Sequence, residues 1–242
     1  MSAEAAGRRF TDHHRVGAAD VAADGGAHVF AIARWLQETA FADGLDSGFG
    51  AEAFWIIRRL RLEIARLPAF PELLEVTTWC SGKAKSVAER TSTIRGDAGA
   101  DVTAEAIWVH VDPATRMPSR LPEEFERIYG PSAAGRKARA SLRHPPEPPA
   151  DAERLEWWFG ESAIDLAGHV SNLWYWQPAE EFLGLPGAPA VDHRPEPVVL
   201  EAEFRSGIGR GLATVHRAGR MLWISAPDGT VAGTLAVAGD EE

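Results

Sequence analysis

The sequence has a single cysteine, Cys80, and no run of about 18 apolar residues. One cysteine excludes an internal disulfide framework and a cysteine metal cluster, and it fits a reducing compartment. Without a long apolar run, a membrane-spanning helix is excluded. The first nine residues also lack the apolar core of a signal peptide. We therefore expect a cytoplasmic protein that does not enter a membrane.

Positive charge is also scarce, with 25 Lys and Arg against 35 Asp and Glu in 242 residues. The net charge of −10 and a pI near 5.3 argue against nucleic-acid binding, which needs a basic surface. The eight histidines show no metal-ligand spacing, and there is no glycine-rich phosphate loop. The sequence therefore predicts no metal, nucleotide or other cofactor.

The same order of elements occurs twice along the chain. Residues 28–45 show a helical period of apolar side chains, and strand-like alternation follows at residues 59–64, 72–81, 86–95 and 101–112. A second helix is predicted to begin near His169, and four strands are predicted after it, at residues 197–206, 211–217, 220–226 and 230–238. This repetition indicates two related units.

Residues 130–150 separate the two units and are rich in proline, glycine and basic residues, as a linker is. We predict an N-terminal unit at 1–130, a linker at 131–150 and a C-terminal unit at 151–242. A helix that precedes an antiparallel sheet buries its apolar stripe against that sheet, which predicts an α+β unit with a curved sheet around a helix. Two such units paired edge to edge would resemble a tandem hotdog.

The segment Asp165-Leu-Ala-Gly-His-Val-Ser-Asn-Leu-Trp-Tyr175 places a carboxylate, an imidazole and an amide where a loop is predicted to become a helix. The first backbone N–H groups of a helix have no partners within it and can polarise a carbonyl. Asp165 stands beside them as a base or nucleophile. This combination suits transfer of an acyl group to water.

Four further blocks carry a resemblance to the acyl-acyl-carrier-protein thioesterases of plants and bacteria. They are Leu36–Ala40, Trp55–Pro68, Glu75–Trp79 and Arg116–Phe125. Their order and spacing are more specific than any one of them. The resemblance covers nearly the whole chain and implies a tandem hotdog fold, with hydrolysis of a carrier-bound acyl thioester to the free fatty acid.

The family's active-site signature is an aspartate, an asparagine two residues later and a histidine two later, followed by valine, two asparagines and a tyrosine. This chain matches it at Asp165, His169, Val170, Asn172 and Tyr175. The resemblance implies Asp165, His169 and Asn172 as catalytic residues. It implies Gly168, Val170 and Tyr175 as substrate-binding residues.

The chain departs from the signature at two positions, because Ala167 replaces the first asparagine and Ser171 one of the pair. The family also has a strand glutamate about 35 residues further on, and our alignment places Gly207 and Ile208 there. These departures keep open a different class of function, a non-hydrolytic protein that binds acyl thioesters.

Asp165–Gly168 also resembles the aspartate-x-alanine-glycine loop of small hotdog acyl-coenzyme A thioesterases, which work around one aspartate. That resemblance implies an acyl-coenzyme A hydrolase as an alternative. His169 and Asn172 would then orient the water or Asp165, and their loss should reduce the rate less.

Simpler structural roles compete with these interpretations. Asp165 could be a helix N-cap. Asp20 and Asp24 of the first unit have the same four-residue spacing as Asp165 and His169. We interpret this pair as the non-catalytic twin, with a capping role. Pro178 predicts either a kink or a helix that restarts with Pro178 in its first turn. Cys80, on a predicted strand without a nearby base, reads as a packed thiol.

The predicted partner is acyl carrier protein or acyl-coenzyme A as substrate. Both carriers are acidic, and basic residues that could dock them are Arg58, Arg59, Arg61, Arg66, Arg136, Lys137, Arg139 and Arg143. A solvated strand face and a solubilising linker explain the same residues. The oligomeric state is left open, with a homodimer as one alternative.

Overall fold

The computed structural model describes residues 7–49, 54–185 and 197–238. In these residues the strands are β1 Phe10–Arg15, β2 Phe54–Arg66, β3 Leu73–Lys83, β4 Val87–Gly96, β5 Asp101–Val111, β6 Glu153–Phe159, β7 Val198–Phe204, β8 Gly211–Ala218, β9 Met221–Ser225 and β10 Val231–Ala238. The helices are α1 Val29–Ser47, α2 Glu123–Ala133 and α3 Trp176–Leu183. No helix in these ranges has the length and apolarity needed to cross a bilayer.

All ten strands of the described residues form one antiparallel sheet in the order β1-β3-β4-β5-β2-β7-β10-β9-β8-β6. The two halves of the sheet have the same strand order when each is counted inward from its own edge. In this comparison β6 corresponds to β1, β7 to β2, β8 to β3, β9 to β4 and β10 to β5. The two halves join at the centre, where β2 pairs with β7 and Leu62 lies opposite Leu200. Two edges are thereby removed. The α+β tandem hotdog prediction is confirmed.

The eight predicted strands are present, and most of their ends lie within a few residues of the prediction. The sequence reading missed one strand in each half, β1 and β6, which precede the helices and form the two edges of the sheet. β1 reads Phe-Thr-Asp-His-His-Arg and has no fully buried side chain. An edge strand that buries little apolar surface shows no clear alternation, so periodicity could not find it.

The long helix α1 packs against the inner face of the first half, as its apolar period predicts. Ile32, Trp35 and Leu36 are buried against strand residues such as Leu74 and Ile94. The hydrophobic effect therefore holds the helix in the curve of the sheet.

The N-terminus of α1 is capped from the other half of the molecule. The N-cap residue His28 makes no side-chain capping bond. Instead, the Glu180 carboxylate of α3 accepts hydrogen bonds from the backbone N–H groups of Val29 and Phe30, and it lies 3.1 Å from His28 Nδ1. Burial raises the pKa of Glu180, while His28 and the two N–H groups oppose that change.

We expect Glu180→Ala to lower the free energy of unfolding by about 1–2 kcal/mol, because two N–H groups and His28 lose their acceptor. Urea unfolding followed by circular dichroism measures this. Glu181→Ala removes the neighbouring exposed carboxylate and serves as the matched control. Equal stability of the two variants would contradict the capping role.

The second helix begins later than predicted. Residues 165–168 form a turn, a 3₁₀ turn spans Asn172–Tyr175, and α3 starts only at Trp176. The prediction of a helix start near His169 is therefore wrong. Pro178 lies in the first turn of α3, where its missing N–H is tolerated, and this alternative is confirmed.

The predicted linker is partly helical, because α2 continues to Ala133. The buried residues of α2 recur at four-residue spacing, at Phe125, Tyr129 and Ala133. The sequence analysis did not recognise this helix because it contains Gly130 and Pro131. The division into units at residues 130 and 150 stays a prediction.

The segment that follows α2 is anchored across the junction of the two halves. Arg59 of β2 donates to the Ser141 carbonyl at 3.2 Å, and Trp223 of β9 donates to the Pro145 carbonyl at 3.0 Å. The Glu203 carboxylate of β7 accepts hydrogen bonds from the backbone N–H groups of residues 143 and 144. These bonds tie the connecting chain to both halves of the sheet.

Candidate active site

Asp165 lies in a tight turn that is closed by backbone hydrogen bonds. Asp165 N–H donates to the His169 carbonyl at 2.9 Å, and Gly168 N–H donates to the Asp165 carbonyl at 3.0 Å. Gly168 has φ +78°, a conformation that favours glycine. The Asp165 carboxylate accepts the Ala167 N–H at 2.8 Å. Gly168 thus shapes the turn.

The N-cap explanation for Asp165 is wrong, because the helical segment begins seven residues later. The cap of the 3₁₀ turn is Ser171, whose hydroxyl accepts the Leu173 N–H at 3.4 Å. Asn172 is the first residue of that turn, where backbone N–H groups have no partners within the turn.

The first half of the chain contains a turn with the same hydrogen bonds. Ala22 N–H donates to the Gly26 carbonyl and Gly25 N–H donates to the Ala22 carbonyl, both at 2.9 Å, and Gly25 has φ +87°. Ala22 therefore corresponds to Asp165 and Gly26 to His169. Of these two related turns, the one that begins at Asp165 has a carboxylate at its first position and an imidazole at its last.

This correspondence corrects the register of the predicted twin. Asp20 and Asp24 do not match Asp165 and His169, although both accept backbone hydrogen bonds as predicted. Asp20 accepts the Gly17 N–H and Asp24 accepts the Gly26 N–H, each at 2.9 Å. Asp24 therefore stabilises the twin turn itself, whereas Asp20 stabilises the start of the preceding 3₁₀ turn, Ala18–Asp20.

The turn opens onto a cavity of about 770 Å³, which we call the main cavity. Of the predicted site residues, the structure places Asp165, His169, Val170, Asn172 and Tyr175 along its wall, and Gly168 does not line it. The first half contributes the apolar remainder of the wall, which includes Phe49, Trp55, Ile57, Cys80, Ala88, Trp108, Phe125 and Tyr129. The main cavity therefore has a polar end at the Asp165 turn and an apolar end towards α2 in the first half. Polar residues of the first half that also line it are Gln37, Arg58, Glu89, Arg90 and Arg116.

His169 packs closely against a glycine of the segment that follows β7. A Cβ at Gly207 would lie 2.6 Å from His169 Cδ2, so only glycine leaves room for the imidazole. The neighbouring Ile208 carbonyl accepts the Val170 N–H at 2.8 Å and fixes the turn from the other side. Gly207 and Ile208 thus position His169.

Gly207 and Ile208 lie beyond the end of β7, which stops at Phe204, two residues before the predicted end of this strand. The residues that leave β7 along the main cavity wall are Phe204, Arg205, Ser206 and Gly207. Arg205 and Ser206 were missed by the sequence reading. Arg205 donates to Glu203 at 3.0 Å and to the His144 carbonyl at 2.8 Å, which holds its guanidinium beside the cavity.

Arg58 extends the positive charge of this wall. Its guanidinium donates to the Arg205 carbonyl at 3.2 Å. Burial lowers the pKa of Arg58, and the nearby Arg205 cation lowers it further. An anionic group of a ligand would be attracted to this pair of arginines.

Tyr175 is a neutral phenol in the wall beside Asp165. Its ring lies 6.0 Å from the ring of Phe159 and 5.5 Å from that of Phe204. Burial raises the pKa of Tyr175, and the charge of Asp165 raises it further. The phenol therefore stays protonated and contributes shape to the cavity.

Cys80 lines the apolar end of the main cavity, a place the sequence reading did not assign to it. It is 3% exposed, and its thiol lies 3.4 Å from the Gly82 carbonyl. Burial raises the pKa of the thiol, so the reactive thiolate is disfavoured at neutral pH.

We expect Cys80 to react with an aromatic disulfide reagent at pH 7.5 at least tenfold more slowly in the folded protein than in guanidinium chloride. Because the folded pKa is raised, the native rate should still be rising with pH above about 8.5, where an unfolded thiol is half ionised. The release of the coloured thiol measures both rates. Equal rates in the folded and unfolded states would contradict the buried position.

The predicted basic docking residues have varied surroundings. Arg59 is buried and lies 3.8 Å from Glu201, whereas Arg61 pairs with Glu63 at 3.0 Å and Arg136 with Glu89 at 3.1 Å. Ion pairs with neighbours reduce the charge that is available to a carrier. A docking role for these residues stays a prediction.

Within the described ranges, one group has the side chains of a metal site, namely His144, Glu201 and Glu203. Arg205 and two backbone N–H groups already bind the Glu203 carboxylate, and Arg59 approaches Glu201. His144 also bonds Thr234 at 2.9 Å. Cations and N–H donors use the lone pairs that a metal would need, so this cluster anchors the connecting segment.

One antiparallel sheet made of two halves with the same strand order defines the class of tandem hotdog proteins. A family model described as the acyl-ACP thioesterase N-terminal domain matches residues 7–129, and the chain belongs to the acyl-ACP thioesterase family.

Curated relatives agree with this assignment. The chloroplastic palmitoyl-acyl carrier protein thioesterase of Arabidopsis thaliana is 26% identical over 96% of this chain and 58% of its own length. The chloroplastic oleoyl-acyl carrier protein thioesterase 2 of the same plant is 26% identical over 62% of this chain and 47% of its own. This chain thus spans little more than half the length of the first relative.

Solved structures show the same fold. The 12:0-ACP thioesterase from Umbellularia californica superposes with a TM-score of 0.73 at 17% identity, over 95% of this chain and 96% of that one. An acyl-ACP thioesterase from Bacteroides thetaiotaomicron gives a TM-score of 0.72 at 18% identity, again over 95% and 96%. At these identities the likeness supports the tandem hotdog architecture.

Proposed function

We propose that the protein hydrolyses an acyl thioester of acyl carrier protein to the free acid. The observation that carries this proposal is the position of Asp165, a carboxylate at the polar end of the main cavity in the turn whose twin has Ala22 instead. Family membership supports thioester chemistry for such a carboxylate. The apolar end of the same cavity suits a hydrocarbon chain.

In the proposed reaction, the Asp165 carboxylate takes a proton from a water molecule, whose oxygen forms a bond to the thioester carbon. The carbonyl oxygen gains negative charge in the tetrahedral intermediate. The intermediate then breaks its carbon–sulfur bond, and the departing sulfur takes the proton from Asp165. The products are a carboxylic acid and the free thiol of the carrier.

The neighbouring groups assist these steps. The backbone N–H of Asn172, the first residue of the 3₁₀ turn, stabilises the oxyanion by donation, and one such donor is typically worth roughly 3 kcal/mol in the barrier. His169 and the Asn172 amide orient the water or Asp165. Val170 and Tyr175 contribute the wall against which the thioester lies.

An acyl-coenzyme A hydrolase is the second candidate. Arg58 and Arg205 favour it, because two cations beside the polar end would also attract the phosphates of coenzyme A. The reaction and the role of Asp165 would be the same.

Free-thiol release tests both candidates when the same acyl group is presented on acyl carrier protein and on coenzyme A. We expect kcat/KM to be higher for the carrier protein. A preference for coenzyme A would favour the second candidate. If neither thioester is hydrolysed while both bind, the hydrolase proposal is wrong and a non-hydrolytic binder takes its place.

A further inference from the structure

An arginine on the inner face of the first half of the sheet is not used by the proposed reaction. Arg90 of β4 shares this face with Ser92, and both line a void that is also bounded by residues of α1. Its Nη1 donates to the Asp43 carboxylate at 2.8 Å and to the Thr78 hydroxyl at 3.1 Å. Asp43 is 1% exposed, so this ion pair holds the guanidinium in one place.

The rest of the Arg90 guanidinium borders the main cavity and the ring of Tyr129, whose centroid lies 5.7 Å from Cζ. Arg90 lines the main cavity, and its Nε and Nη2 have no hydrogen-bond acceptor among residues 7–49, 54–185 and 197–238. Arg90 also lines a side void of about 20 Å³. A void of this size has room for one water-sized group.

The surroundings of the side void hold a second donor without a partner. Trp108 lines both cavities, and its buried indole N–H has no acceptor in the part of the chain that the structure describes. The other polar residues of the wall are Gln37, Asn172 and Ser92, whose hydroxyl is bonded to that of Thr78. Asn172 belongs to the proposed catalytic group, so the unpartnered donors lie close to the thioester end of the cavity.

We propose that the acyl substrate carries an oxygen within a few carbons of the thioester, as in a 3-hydroxyacyl or 3-oxoacyl group, and that Arg90 binds this oxygen. The inference rests on the proposed function and specifies its substrate class. A plain hydrocarbon chain would cover the guanidinium and leave its donors without water or partner, which is unfavourable. An oxygen at this position would accept from Nε or Nη2 while Nη1 stays on Asp43.

The test compares thioesters of equal chain length on one carrier, either unsubstituted or with a 3-hydroxyl of each configuration. We expect kcat/KM to be about tenfold higher for one 3-hydroxy enantiomer than for the unsubstituted chain, because a site built to bond an oxygen discriminates against its absence. Arg90→Met should bring this ratio close to one, whatever its effect on the absolute rates. Arg95→Met, on the same strand but paired with exposed Asp101, should preserve the ratio.

Arg90→Met could unfold the protein by leaving Asp43 with Arg8 alone. Arg90→Lys provides a second test if Arg90→Met unfolds. Lysine keeps a cation for Asp43 but lacks the Nε and Nη2 donors, so this variant should also lower the ratio. Dissociation constants of non-hydrolysable 3-hydroxyacyl and acyl amides provide a readout without hydrolysis. Equal binding of the two amides would overturn the Arg90 inference, whereas selective binding without turnover of any thioester would overturn the hydrolase proposal alone.

Discussion

Asp165→Asn is expected to lower the rate of thioester hydrolysis by a hundredfold or more while the protein stays folded. Asparagine keeps the shape of the side chain and can still accept the Ala167 N–H, which the carboxylate accepts at 2.8 Å. It lacks the charge needed to take a proton from water or to attack the carbonyl. The measurement is free-thiol release under saturating substrate, together with thermal unfolding of both proteins.

The matched control comes from the twin turn. Asp24 also accepts a backbone N–H, that of Gly26 at 2.9 Å, but its turn has Ala22 where the other has Asp165. Asp24→Asn therefore makes the same chemical change in a turn without the proposed site, and we expect full activity. Retention of most activity by Asp165→Asn would show that this carboxylate does not carry the reaction.

The second large effect is expected from Gly207→Ala. The added Cβ would stand 2.6 Å from His169 Cδ2, so the imidazole must move out of its place beside the main cavity. Displacing a group that orients water or Asp165 should lower kcat by about tenfold or more. Gly209→Ala, where a Cβ would meet nothing within 4 Å, should leave kcat unchanged.

A double-variant cycle separates this mechanism from general damage. If Gly207→Ala acts through the imidazole, it should add little to the loss already caused by His169→Ala. Independent, additive losses would mean that the methyl group disturbs the site by another route.

Much of the fold follows from patterns in the sequence. The apolar period of α1 and the alternation in residues such as Leu60, Leu62 and Ile64 predict a helix followed by a sheet, because each must bury one face. The edge strand β1 and helix α2 escaped prediction for a physical reason. The first buries little, and Gly130 with Pro131 breaks the visible period of the second.

The sequence analysis named residues of the candidate site but did not predict their geometry. The Asp165–Tyr175 segment stood out because it combines a carboxylate, an imidazole and an amide at short spacing. Instead of the helix start expected near His169, the segment from Asp165 to His169 is a turn closed by its own backbone, and the helical segment begins at Asn172. Local patterns do not distinguish these conformations, since a polar residue with a nearby glycine suits both.

The sequence by itself determined the two-unit hotdog plan and the acidic segment around Asp165, because both depend on local chemistry and periodicity. Only the tertiary structure decided which groups face Asp165. Sheet pairing and helix packing bring residues from distant parts of the chain to the main cavity. They are Gly207 beside His169, the arginines Arg58 and Arg205, and Arg90 in the first half. Contacts between residues far apart in the chain leave no spacing to read, so the cavity and its donors became visible only in three dimensions.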